Sequence, residues 1–438
     1  MPAPNPSSPL LEACEHQDEI LAQPFSILQE AITQQVFPAA SVAITHRGKL
    51  IARKALGNFT YEAVAPPFSR SVREGGDVDL SSAAQNVGAP LLASFARSGT
   101  FDSAVHPSTL FDLASLTKVV ATTPTAMLLY ERGLLDLDAP VAAIVPEFTR
   151  DAAKDPRRQE VTVRMLLAHS SGLPAYEKLY LKARTRAELL EAAVTTPLAA
   201  NPNTQAAYSD IGFIILGMAL ERVADESLDR FCQREIFAPL SMTSTTFNPP
   251  KELQAEIAPT ADEREEPWGS DTPVRQLPKA HPPQSGSQHS PRSTFRKKII
   301  QGEVQDENAF ILGGVAPQAG LFSTAEDLAK FAQTMLNQGR PIFRPETVSL
   351  FTRREPAPPA TSRTLGWDTP SAQSQSGKYF SPQSFGHLGY TGTSLWIDPT
   401  RQLSITLLTN RTWPDCSNLS IKQLRPKFHD AVIEALPD

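Results

Sequence analysis

The sequence predicts an α/β (α+β) fold: an antiparallel sheet built from both chain ends, flanked by helices, with an inserted, mostly helical sub-domain. Three observations carry this. A β-rich stretch near the start, residues 41–56, reads as a hairpin, and a second pair of β-rich stretches, 394–398 and 403–408, lies near the end. Between them, residues 115–133, 161–172, 185–196 and 209–225 carry helical patterning. One sheet completed by the two termini, with the helical part beside it, leaves a cleft at their junction, a common place for an active site.

In order, residues 1–20 form a loose lead-in rich in Pro and Ser. Ile27 to Val36 is helical. Ser41 to Thr45 and Leu50 to Leu56 are strands around the turn His46-Arg47-Gly48-Lys49. Residues 62–108 lack periodicity and read as a long surface excursion. The segment from Ser115 to Gly133 is helical, with Pro124 expected to kink it because proline removes a backbone hydrogen bond. Val161 to Gly172 reads as a second helix stopped by Gly172. Residues 261–300 combine Pro, Ser, Gln, His and both signs of charge, a composition expected to be a disordered or mobile insert. Ser323-Thr324-Ala325-Glu326-Asp327 carries a capping signal ahead of a helix. Asp398 to Gln402 joins the last two strands, and an amphipathic helix from Ile421 to Leu436 ends the chain. The domain reading is one unit over 21–438, with a helical sub-domain over about 119–245 and inserts at 62–108 and 261–300.

The composition narrows the function. The 438 residues allow one large domain or two ordinary ones. Apolar residues make up 41% and charged residues 20%, as in globular proteins. A net charge of −6 and the lack of a basic stripe with interleaved aromatics speak against nucleic-acid binding. Cys14, Cys232 and Cys416 suggest neither a disulfide framework nor a metal cage. The histidines show no metal-ligand spacing, so no metal and no cofactor are expected. His169 reads as part of a structural turn. No basic n-region precedes Arg47 and no run reaches a membrane span. The expected address is cytoplasmic, or periplasmic if the true start lies upstream.

Three motifs carry chemistry. Ser115-Leu116-Thr117-Lys118 sits where loop-like sequence becomes helical. Residues three apart share a helix face. A helix starting at Ser115 puts the hydroxyl at its positive end, which favours a developing alkoxide. Lys118 then lies one turn on, within reach of the hydroxyl proton. A lysine with its ordinary pKa of ~10.4 needs roughly 3–4 kcal/mol of bias toward the neutral amine to serve as a base near neutrality. The tetrapeptide alone equally fits an N-cap serine and an exposed lysine. Tyr208-Ser209-Asp210 precedes an apolar run in which Ser209 or Asp210 caps the helix and Tyr208 is held at its entrance. A phenol there can carry a proton, or simply pack. His387-Leu388-Gly389-Tyr390-Thr391-Gly392-Thr393 leads into a strand, and its glycines let backbone approach a substrate closely or merely make a turn.

Together and in this order, the three motifs resemble the serine β-lactamase and penicillin-binding superfamily. The similarity is strongest to the branch with class C β-lactamases, D-alanyl-D-alanine carboxypeptidases, D-aminopeptidases and related carboxylesterases. Leu166 to Pro174, Gly302 to Ala309 and Gly320 to Ala325 also resemble that branch, and the resemblance runs from about residue 25 to about 430. It implies a β-lactamase/transpeptidase-like fold. It also implies Ser115 as nucleophile, Lys118 as its base partner and Tyr208 as shared proton carrier, with an oxyanion hole from the N–H groups of Ser115 and Tyr390.

Two departures from that pattern shape the expectation. His387 stands where lactamases carry the lysine of Lys-Thr-Gly, and a histidine is only partly charged near neutrality. This favours esters or uncharged groups over β-lactams and peptide carboxylates. Asp210 stands where lactamases carry Asn, and a carboxylate near Lys118 raises its pKa. Either Asp210 points away as a helix cap, or Tyr208 carries more of the proton transfer. The expected function is a serine hydrolase forming an acyl-enzyme on a small ester or amide. The alternatives are D-amino-acid peptidase or β-lactamase activity, or a catalytically idle ligand- or partner-binding member. The sequence leaves the oligomeric state open.

Overall fold

A computed structural model describes residues 11–12, 15–61, 104–150, 155–264 and 293–436. The surface excursion predicted over 62–108 lies almost wholly outside the described residues, as does most of the predicted insert over 261–300. Its two ends, Ala261–Asp262 and Ile299–Ile300, pair as a small antiparallel ribbon.

The main sheet has six strands: β1 (Leu11–Glu12), β2 (Ala39–His46), β3 (Lys49–Gly57), β4 (Phe385–Leu388), β5 (Ser394–Asp398) and β6 (Leu403–Thr409). Their order is β1-β3-β2-β6-β5-β4, so β2 pairs with β6 and the two chain ends complete one sheet. Every pairing is antiparallel except that of β1 with β3, which draws part of the expected lead-in into the sheet. The hairpin between β2 and β3 turns through Arg47 and Gly48, both at positive φ, as a tight two-residue turn requires.

Strand β6 is buried along its whole length, and β2 is buried up to its last residue. Their side chains alternate between two buried faces, with Ser404, Thr406 and Thr409 buried among the apolar residues. Val42, Ile44, Trp396, Ile405 and Leu407 pack with Phe25, Leu28, Leu424 and Phe428 of α1 (Ala22–Thr33) and α8 (Ile421–Ala435). Ala43, Leu395, Ile397 and Leu408 face the opposite way, toward Leu328, Phe331 and Ala332 of α7 (Ala325–Leu336). As its sequence foretells, Thr324 caps α7 by accepting from the Asp327 N–H.

The helical side is built around α5 (Asp210–Ala224), which buries Ile211, Phe213, Ile214, Ile215 and Leu216. Around it lie α2 (Thr123–Glu131), α3 (Val163–Leu167), α4 (Arg186–Val194) and α6 (Leu228–Cys232). Two expectations need correction here. Pro124 does not interrupt a continuous helix. It sits in the first turn of α2, just after a π-helical segment over Lys118–Thr122, so its missing N–H falls where the hydrogen-bond register changes. The helix predicted up to Gly172 ends at Leu167, because His169 already adopts a left-handed conformation at φ 56°. Among the described residues, no helix is long and apolar enough to cross a membrane.

Candidate active site

Ser115 is presented by a strained turn. Ala114, just before it, has φ 47°, which a non-glycine residue rarely adopts. The buried Asp112 carboxylate holds that conformation by accepting from the Ala114 N–H at 2.8 Å and from the Gln305 N–H at 2.7 Å. Burial pushes the Asp112 carboxyl up to about 6. From Leu113 the chain winds in i→i+3 turns, with Lys118 N–H donating to the Ser115 carbonyl at 3.1 Å.

The winding brings the Lys118 ammonium 3.0 Å from Ser115 Oγ. Lys118 is fully buried, not an exposed helix lysine. Its other partners are Asp210 Oδ1 at 2.6 Å and the Gln318 carbonyl at 2.9 Å. These three acceptors match the three donors of an ammonium. Gly217 makes the third contact possible: a Cβ there would lie 2.4 Å from Pro317 Cγ, so only glycine lets this segment lie against α5. Burial nonetheless pulls the Lys118 pKa below its ordinary value, and Asp210 works against that shift.

Tyr208 OH lies 2.6 Å from Ser115 Oγ and donates to Asp210 Oδ1 at 3.1 Å. Because the phenol proton goes to Asp210, Ser115 donates to the phenol oxygen. The tyrosine is partly buried on the cavity wall, and burial together with Asp210 keeps its phenol well above the usual range, so it rests neutral. Asp210 therefore does not point away as a cap. Ser209 caps α5 instead, accepting from the Gly212 N–H at 3.0 Å.

His169 does more than shape a turn. Its Nδ1 accepts from the Ser209 N–H at 3.0 Å, and its ring packs 4.7 Å from that of Tyr208. Burial and the charges of Arg363 and Lys118 hold it neutral, so Nε2 carries the proton.

The opposite wall is the edge strand β4 and the turn after it. His387 Nδ1 lies 2.8 Å from the Leu388 carbonyl and must be the donor, which leaves Nε2 as a bare acceptor. That Nε2 is buried and makes no hydrogen bond among the described residues. Burial, Lys118 and Arg363 push the ring well below its ordinary value. His387 is thus neutral, not partly charged as the sequence suggested. Gly389 is tightly enclosed: a Cβ would sit 1.9 Å from Thr393 Oγ1 and 2.5 Å from the Leu113 carbonyl.

Between the walls lies a cavity of about 410 Å³, lined by Ser115, Tyr176, Tyr208, Arg363, His387 and Tyr390, among others. The structure thus gathers Ser115, Tyr208, Asp210, His387, Gly389 and Tyr390 around one space, with Lys118 buried against Ser115, although they span most of the chain.

Sequence reading missed several contributors. Arg363 stands on the cavity wall with its guanidinium 5.7 Å from the Tyr208 ring centre and 3.6 Å from Asp368. Asp306 is partly buried on the cavity wall near Lys118 and Asp210. It accepts from the Ala309 N–H at 2.6 Å, and burial and Asp210 push it up to about 7. The stretch Gly302 to Ala309 did point to that region. Arg363 lies in loop sequence with no pattern to single it out. Among the described residues, no cluster of His, Cys, Asp and Glu could hold a metal ion.

Known proteins share this arrangement of elements. The Beta-lactamase family model matches residues 25–420. The chain is 35% identical over 323 residues to a Bacillus subtilis (strain 168) protein named "N-acetylmuramyl-L-alanine amidase", covering 69% of this chain and 68% of that one. It is 34% identical over 320 residues to an Escherichia coli (strain K12) protein named "Putative D-alanyl-D-alanine carboxypeptidase", covering 69% of each. Among solved structures it resembles EstCE1, a hydrolase with promiscuous acyltransferase activity. That match has TM-score 0.66 and 21% identity over 95% of this chain and 99% of that one. A penicillin-binding protein homologue from Caulobacter crescentus matches with TM-score 0.62 and 18% identity, covering 95% and 98%. At these identities the solved structures speak to fold alone. The chain belongs to the beta-lactamase family and is a serine hydrolase of that family.

Proposed function

We propose that the protein is an amidohydrolase that acylates Ser115 from an N-acyl amino acid or short peptide. The observation that carries the chemistry is the unbroken chain from Ser115 Oγ through Tyr208 OH to Asp210, 2.6 Å and then 3.1 Å, with the Lys118 ammonium 3.0 Å from the same Oγ. Ser115 Oγ attacks the substrate carbonyl carbon as its proton passes to Tyr208 and the phenol proton passes to Asp210. Lys118 stays charged and stabilises the developing alkoxide. The oxyanion takes the N–H groups of Ser115 and Tyr390. The C–N bond then breaks, the amine leaves with the proton returned through Tyr208, and water hydrolyses the acyl-enzyme by the same relay.

Two considerations favour an amide. Two relatives above 30% identity bear the names of an amidase and a carboxypeptidase, both amide-cleaving activities. Arg363, shared with Asp368, puts a guanidinium on the cavity wall for the carboxylate of such a substrate, where β4 offers only the neutral His387. The second reading is an esterase, favoured by that same neutral His387, which gives β4 no fixed charge.

The test is turnover of N-acetylmuramyl-L-alanine, an acyl-D-alanyl-D-alanine peptide and p-nitrophenyl acetate by the parent, Ser115→Ala and Arg363→Ala. Ser115→Ala should abolish all measurable turnover. Arg363→Ala should raise KM for the carboxylate-bearing amides roughly tenfold, the scale of one charge-assisted hydrogen bond, and leave the ester unchanged. Ester turnover without amide turnover would establish the esterase instead.

A further inference from the structure

A buried arginine far from Ser115 in sequence grips the turn that carries Tyr390. Arg425 lies on the core face of α8, in line with Ile421, Leu424 and Phe428, where the helical period calls for an apolar side chain. It is 4% exposed. Nη2 donates to the Gly389 and Thr393 carbonyls, both at 2.8 Å, and Nε to the Gly392 carbonyl at 3.3 Å. Nη1 donates to Gln375 Oε1 at 3.0 Å. Among the described residues no carboxylate pairs with it. Burial and the charge of Arg411 draw its pKa down to about 9, so it remains a cation at neutral pH. Keeping such a cation in the core is costly, and an apolar residue would pack there more cheaply.

The bond to Gly389 has a specific consequence. The Gly389 carbonyl and the Tyr390 N–H belong to one peptide unit. A guanidinium bonded to the carbonyl oxygen draws electron density through the amide and leaves the N–H more positive. Arg411 grips the next peptide from the other side, with Nε donating to the Tyr390 carbonyl at 2.8 Å. Thr391 and Thr393 tie the turn to the Asp112 and Leu113 carbonyls, at 2.8 and 3.0 Å, just ahead of Ser115.

We propose that Arg425 is a positioning residue for the oxyanion hole, polarising the Gly389–Tyr390 peptide so that the Tyr390 N–H binds the tetrahedral oxyanion more strongly. The inference rests on the reading of Ser115 as nucleophile and of the Tyr390 N–H as oxyanion donor. Arg425 reaches the reaction only through the backbone of this turn, the Gly389–Tyr390 peptide above all, so its effect falls on the tetrahedral state and spares planar substrate.

The test uses the full chain with Arg425→Gln and Arg425→Lys. Active sites are titrated with a fluorophosphonate, and p-nitrophenyl acetate hydrolysis is expressed per titrated serine. Phenylboronic acid, which becomes tetrahedral on a serine, reports oxyanion binding. Arg425→Gln should lower kcat per site by roughly 10- to 100-fold, below the loss expected for deleting an oxyanion donor. Its KM should stay within about threefold, and boronate affinity should fall in parallel with kcat. Arg425→Lys keeps the charge and should lose less. Fewer titratable sites with unchanged kcat per site would mean Arg425 only holds the fold, and would overturn the proposal. So would equal losses in KM and kcat with boronate affinity untouched. If Arg425→Gln fails to fold, Arg425→Lys under the same three measurements decides. A parent with no titratable Ser115 would remove the underlying reading. An active parent with an unaffected Arg425→Gln would remove only the role of Arg425.

Discussion

The two walls of the cavity are held together by opposite means. On the helical side, Ser115, Tyr208, Asp210 and Asp306 form a partly buried cluster around the fully buried Lys118, linked so that protons can change places. On the strand side, the 389–393 turn is fixed by arginines and threonines bonded to backbone carbonyls, groups that do not titrate near neutrality. In the proposed mechanism one wall moves protons during a turnover, and the other holds still while charge builds on the substrate. The same low dielectric serves both, strengthening hydrogen bonds and shifting the pKa values of the titratable groups.

The strand wall is the place to break this contrast most severely. Gly389→Ala forces a Cβ into Thr393 Oγ1 and the Leu113 carbonyl, and the backbone has no room to give. Activity per titrated serine should fall by roughly 100-fold or more, comparable to losing an oxyanion donor. Labelling of Ser115 by a fluorophosphonate should persist at a reduced rate. Near-parental turnover would show that the turn need not be still.

A milder intervention on the helical wall separates two proton routes. Asp210→Asn keeps the shape and removes the terminal acceptor of the relay. We expect kcat to drop roughly tenfold, less than the ~10²–10⁴-fold typical of one positioned acid–base group, because Lys118 remains to take the proton. Without the carboxylate that raises it, the Lys118 pKa falls further, so the neutral amine forms at lower pH. The residual activity should therefore show its acid limb displaced downward. Undiminished or increased activity would make Lys118 the base and Asp210 a brake on it.

The fold was legible because hydrophobic period and capping agree in this chain. Residues 41–56 and 394–408 alternate as strands, and Ser209 and Thr324 cap the helices their positions announce. Ser115, Lys118 and Tyr208 were legible as motifs. What stayed hidden depends on three-dimensional neighbours. Whether Asp210 caps or pairs is decided by a lysine 92 residues away. The charge state of His387 is decided by burial and by Lys118 and Arg363. Arg425 did leave a trace, a cation on the apolar stripe of the last helix, but its partners are carbonyls, which no pattern of side chains announces.

Asp306 offers the finest test of the proton-moving wall. Its carboxyl is pushed up to about 7, so the folded state holds the proton well above the unfolded value near ~3.9. A folded-state pKa raised in this way favours folding at low pH, and that contribution is lost as pH rises toward 7. Asp306→Asn keeps an oxygen to accept from the Ala309 N–H and carries no charge at any pH. The parent should therefore lose stability relative to Asp306→Asn between about pH 4 and 7, by up to a few kcal/mol at roughly 1.36 kcal/mol per unit. Above pH 7 the gap should level off, because both states of the parent are then ionised. Activity should move less. The Asp306 anion raises the Lys118 pKa, so its removal should shift the pH–rate profile slightly downward and leave the plateau within about twofold, since Asp306 makes no direct bond in the relay. Thermal unfolding midpoints of the two proteins across pH 4 to 9 measure the first effect. Parallel melting curves over that range would show that Asp306 is ionised throughout and that the wall exchanges protons only among Ser115, Tyr208, Lys118 and Asp210.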